Sequence, residues 1–131
     1  MNCGGLFQFQ SEVKGLISFW HDHYDNGMIC EWYMEIKPGY LFSMRYTEFN
    51  LESSDDNVCS KDYVLIRSGN DDVPSGDVLS LPILAKQCGT TKPPDILVQA
   101  NRISIIFNSD QKNQYRGFKL SYNFIKERFP N

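Results

Sequence analysis

Apolar and polar residues alternate with period two along most of this chain. In Cys30-Glu31-Trp32-Tyr33-Met34-Glu35-Ile36, residues 30, 32, 34 and 36 share one face, and Glu31 and Glu35 share the other. Phe42, Met44 and Tyr46 alternate with Ser43, Arg45 and Thr47. Tyr63 to Ile66 reads as a short strand with Val64 and Ile66 inward. Ile103, Ile105 and Phe107 alternate with Arg102, Ser104 and Ile106, and Phe118, Leu120, Tyr122 and Phe124 with Lys119, Ser121 and Asn123. No segment carries a 3.6-residue period. Short strands with turn signals such as Pro38-Gly39 between them predict an antiparallel sandwich or barrel. Trp32 falls on the inward face and reads as core.

Two polar loops interrupt the pattern, Ser53 to Asn57 and Ser68 to Ser80. Sandwich loops carry function more often than strands do, and solvated connectors are the alternative. Ile125 to Asn131 reads as a tail or the start of a linker.

The four cysteines add an oxidising compartment to this picture. Cys3, Cys30, Cys59 and Cys88 are never closer than 27 positions, whereas a zinc site wants CxxC pairs or a Cys/His cluster. They read as two disulfides, which places the domain outside the cell or in the secretory lumen. Three connectivities are open to them. The sequential one is taken here, and it would close two loops near 30 residues, each adding about 3–4 kcal/mol on a chain-entropy basis.

The 131 residues suit one domain with one core, and the 14% aromatic content suits a packed β core. A net charge of −3, with no Lys/Arg run, argues against nucleic acid. No stretch approaches 18 apolar residues, so no transmembrane helix is expected. Met1-Asn2-Cys3-Gly4-Gly5 has neither a charged start nor an apolar run, and the expectation is an extracellular module of a larger parent. No Asn-x-Ser/Thr occurs. Gly-x-Ser-x-Gly, HExxH and a phosphate-cradling glycine loop are all missing, and the cysteines are committed to disulfides, so an enzyme is not expected.

A set of motifs then runs nearly end to end: Cys3-Gly4-Gly5, Gly15-Leu16-Ile17-Ser18, Tyr24 six residues before Cys30, Cys30-Glu31-Trp32, Phe49-Asn50-Leu51-Glu52, Cys59 to Ile66, Cys88-Gly89, Phe107-Asn108-Ser109-Asp110, and Gly117 to Tyr122. Together they resemble the CUB domain, over residues 3–124. That resemblance implies an all-β, jelly-roll-like antiparallel sandwich and the sequential disulfides Cys3–Cys30 and Cys59–Cys88. It implies a Ca²⁺ site at one end, with Glu52, Asp62 and Asp110 as ligands. Tyr24 would orient Glu52, and carbonyl groups near Gln111 or Lys112 would add oxygens. The donor chemistry agrees, since Ca²⁺ takes six to eight oxygen ligands. Converging carboxylates without a cation would repel one another; the alternative is three ordinary loop acids. Asp55 or Asp56 would be an extra ligand or simply solvated.

The sequence departs from the family pattern at several places. Ser18-Phe19-Trp20-His21-Asp22-His23 replaces the usual S-P-N-Y-P loop. Lys61 stands where an aromatic residue precedes the Asp. The Glu52–Asp62 and Cys59–Cys88 loops are longer. His21 and His23 would share one face of a strand and hold zinc with a third ligand, but a surface loop is the favoured reading.

The resemblance implies a calcium-dependent protein-binding module whose carboxylates accept a Lys or Arg of an extracellular partner. Tyr24, Trp20 and Tyr115 would pack on that side chain's stem, beside Glu52 and Asp62. A structural module that spaces or dimerises its parent is the second reading. Carbohydrate binding of the spermadhesin kind is the third, and the acidic balance disfavours it.

Overall fold

The computed structural model describes residues 5–10, 14–20, 27–52, 59–69, 81–109 and 116–126, with backbone alone for 5–10 and 14. They form nine strands: β1 Gly5–Gln10, β2 Lys14–Trp20, β3 Ile29–Ile36, β4 Tyr40–Asn50, β5 Tyr63–Gly69, β6 Ile83–Gln87, β7 Ile96–Gln99, β8 Arg102–Asn108 and β9 Gly117–Lys126. One sheet has the order β1-β3-β8-β5-β6 and the other β2-β9-β4-β7. All pairings are antiparallel except β1 with β3, which is parallel, so the expected antiparallel sandwich carries one parallel edge strand.

The alternation predicted from sequence is the packing pattern observed. Cys30, Trp32, Met34 and Ile36 point inward from β3, and Phe42, Met44 and Tyr46 from β4. Val64, Ile66, Ile103, Ile105, Phe107, Phe118, Leu120, Tyr122 and Phe124 complete the facing layers. Phe118 sits at the centre of the aromatic core. The ring centroids of Phe19, Trp32, Tyr46 and Phe107 lie 6.0, 5.7, 6.2 and 5.9 Å from its own. Each such buried side chain contributes about 1.5–3 kcal/mol relative to exposure.

Three details differ from the alternation. Strand β5 runs on to Gly69, which takes Ser68 and Gly69 out of the expected Ser68–Ser80 loop; residues 70–80 lie outside the described residues. Strand β9 continues through Ile125 and Lys126, paired with Leu41 and Tyr40, two residues into the expected tail. On β8 the outward residues Arg102 and Ser104 are buried as well. This strand is flanked on both sides, and side chains of β3 lie against its outer face. Arg102 Nε donates to the Tyr33 hydroxyl at 2.6 Å, and Ser104 Oγ donates to Glu31 Oε2 at 3.3 Å.

Candidate functional site

Pairing register places one set of strand ends together. Trp20, at the end of β2, pairs with Gly117, which pairs with Asn50 at the end of β4. In the other sheet Asn108, at the end of β8, pairs with both Ile29 and Tyr63, the first residues of β3 and β5. Glu52 therefore follows β4, and Asp62 immediately precedes β5.

Links between separate elements hold this end. The Leu51 amide donates to the Gly89 carbonyl at 2.9 Å. The Tyr46 hydroxyl donates to Gln87 Oε1 at 2.6 Å, joining β4 to β6 across the sandwich. The Cys59–Cys88 disulfide, with Cα atoms 5.6 Å apart, ties the approach to β5 to the end of β6. Gly89 has φ +92°, a left-handed conformation that costs glycine little and aims its carbonyl at Leu51. Tyr46 is buried, and burial pushes its phenol far above the ordinary value of 10.0.

Glu52 and Asp62 are buried, at 4% and 0% exposure. Carboxylates are rarely removed from water unless they are paired, hydrogen-bonded or metal-bound. Lys61 Nζ lies 3.8 Å from Glu52 Oε2, so the residues just before β5 come against Glu52. The third expected ligand, Asp110, lies outside the described residues, directly after Ser109. Ser109 is buried and clamped to Met28: its amide donates to the Met28 carbonyl at 2.9 Å, and its Oγ accepts the Met28 amide at 2.8 Å.

Tyr24, Tyr115, Cys3, Asp55, Asp56, Gln111, Lys112 and the His21-Asp22-His23 motif also lie outside the described residues. Cys30 is disulfide-bonded and buried. Trp20, an expected partner contact, is half-buried, with the Arg116 guanidinium 4.9 Å from its ring centroid. Among the described residues, no three His, Cys, Asp or Glu side chains group closely enough to hold a metal. The donor set Glu52 and Asp62 nevertheless has the hard-oxygen character that Ca²⁺ requires.

Sequence reasoning registered Lys61 only as a departure from a pattern and missed its contact with Glu52. The position of Lys61 beside Asp62 was the available signal. A surface groove of about 540 Å³ on the outer face of the four-stranded sheet includes Leu16, Ser43, Arg45, Asp95, Ser121 and Asn123 in its lining, and none of the expected site residues.

Comparison with known proteins adds the following. The family model described as CUB domain matches residues 3–122. Cubilin from Sus scrofa is 28% identical over 120 residues, 92% of this chain and 3% of that protein. Tumor necrosis factor-inducible gene 6 protein from Homo sapiens is 31% identical over 120 residues, 92% of this chain and 40% of that protein. The chain thus spans less than half the length of each of these curated relatives. Among solved structures, the MASP-1 CUB2 domain bound to Ca²⁺ is similar with a TM-score of 0.72 and 25% identity, covering 92% of this chain and 98% of that one.

Proposed function

The chain belongs to the CUB domain family, and from that premise we propose that it is a calcium-dependent protein-binding module. It is an extracellular, non-catalytic domain related to calcium-binding CUB modules. The observation that carries the proposal is the burial of Glu52 and Asp62 at one end of the sandwich, at 4% and 0% exposure. Two acids placed so deep beside strand ends are poor solvated loop residues. They are good ligands for a hard cation, and the similar MASP-1 CUB2 domain is a Ca²⁺-bound structure.

In this reading Glu52, Asp62 and Asp110 hold the ion, and Tyr24 orients Glu52. Bound Ca²⁺ supplies positive charge that offsets carboxylate repulsion and fixes the surrounding loops. Once the side chains that cover them move aside, Lys61 among them, Glu52 and Asp62 also accept the ammonium or guanidinium of a partner's Lys or Arg in charge-assisted hydrogen bonds. Trp20, Tyr24 and Tyr115 pack along its aliphatic stem.

A lysine-bearing peptide, titrated with Ca²⁺ or with chelator and followed by amide chemical shifts, tests this reading. Wild type should respond at this end only with Ca²⁺, and Asp62→Ala should respond in neither buffer. Equal responses in all four samples would contradict the mechanism.

A further inference from the structure

Lys61 pairs with Glu52, its Nζ 3.8 Å from Oε2. Its side chain is 38% exposed, whereas that of Glu52 is 5% exposed. A buried carboxylate thus meets a cation that reaches in from the surface on a flexible four-carbon stem. Such a pair neutralises Glu52 without any bound ion. It also opposes a second cation at the same carboxylate, because two positive charges a few ångströms apart repel appreciably even at a high effective dielectric.

We infer that Lys61 is a built-in competitor for the cation site and sets its affinity, which rests on the calcium reading above. Without Ca²⁺ the ammonium holds Glu52 and keeps the 59–62 segment against the end of β4. When Ca²⁺ binds, the ammonium withdraws to solvent, which its partial exposure permits. The same competition applies to a partner's lysine, which must displace Lys61 from Glu52. Lys61 is therefore an affinity-determining residue.

The test is calorimetric titration of CaCl₂ into chelator-stripped wild type, Lys61→Met and Lys61→Arg, with thermal melts of each with and without Ca²⁺. Lys61→Met keeps most of the stem and removes the charge; Lys61→Arg keeps the charge. The expected result is about tenfold tighter Ca²⁺ binding in Lys61→Met, from loss of one nearby unit charge. Its melting temperature without Ca²⁺ should fall below that of wild type, and the two should converge at saturating Ca²⁺. Lys61→Arg should behave as wild type. Equal Ca²⁺ affinity in wild type and Lys61→Met would overturn the inference and leave the calcium site standing. Binding in Lys61→Met alone would support Lys61 as a competitor for the site and overturn the calcium reading for the native chain. Absence of binding in all three would overturn both the inference and the calcium reading.

Discussion

The amide of Leu51 donates to the carbonyl of Gly89 at 2.9 Å, joining the residue before one candidate ligand to the residue after a disulfide cysteine. The candidate site is thus fastened through the covalent link as well as through strand pairing. Cys88 holds Gly89 in place, Gly89 holds Leu51, and Cys59 anchors the segment leading to Lys61 and Asp62.

Replacing Cys59 and Cys88 together by serine should therefore affect stability and site alike. Loss of a bridge with a sequence separation of 29 should cost about 3–4 kcal/mol, read from denaturant unfolding. Calcium affinity should fall with it, because the segments carrying Glu52 and Asp62 lose their common anchor. A variant that loses stability but binds Ca²⁺ unchanged would show that strand pairing alone positions the ligands.

Gly117 is demanded by backbone geometry. It has φ +107°, and an added Cβ would collide with the carbonyl oxygen of Phe19 on the neighbouring strand. Gly117→Ala should destabilise the domain by about 3–5 kcal/mol, combining left-handed strain with displacement of β2. The expected readout is a fall in melting temperature of roughly 10–20 °C. A fall of less than a few degrees would mean that the β2–β9–β4 pairing at this end relaxes easily.

Tyr46 links the sheets and sets an alkaline limit. Its phenol is neutral in the folded domain well above pH 10, whereas in the unfolded chain it ionises near 10.0. Above that pH the unfolded state releases a proton that the native state keeps, so stability falls as pH rises. The contribution is fully present below pH 10 and is lost at about 1.4 kcal/mol per pH unit above it. Tyr46→Phe should cost about 1 kcal/mol at neutral pH, through loss of the bond to Gln87. It should also flatten the decline between pH 10 and 11.5. Parallel pH profiles for the two proteins would refute the assignment to Tyr46.

The strands with full alternation were legible in the sequence because each turns its apolar face to the core: Met34, Met44, Val64, Ile105 and Leu120 lie where period two puts them. Strands β6 and β7 were not, because they are edge strands with much of their apolar surface exposed. Ile83 is 58% exposed and Leu97 65%, so neither shows a clean inner face. The parallel partnership of β1 and β3 leaves no local mark, since direction is decided by chain topology. Burial of Arg102 and Ser104 on the outer side of β8 was equally hidden, because it depends on Tyr33 and Glu31 of the next strand. Glu52 and Asp62 stood out through the motifs around them, whereas their burial and the reach of Lys61 to Glu52 are properties of the folded end alone.

The central claim is a Ca²⁺ ion held by Glu52, Asp62 and Asp110. The most direct measurement is isothermal titration of Ca²⁺ into chelator-stripped wild type and Asp110→Ala. The account predicts one site of micromolar-to-millimolar affinity in wild type, a higher melting temperature with Ca²⁺, and loss of both in Asp110→Ala. Neither heat nor a thermal shift in wild type would contradict it, and so would undiminished binding in Asp110→Ala.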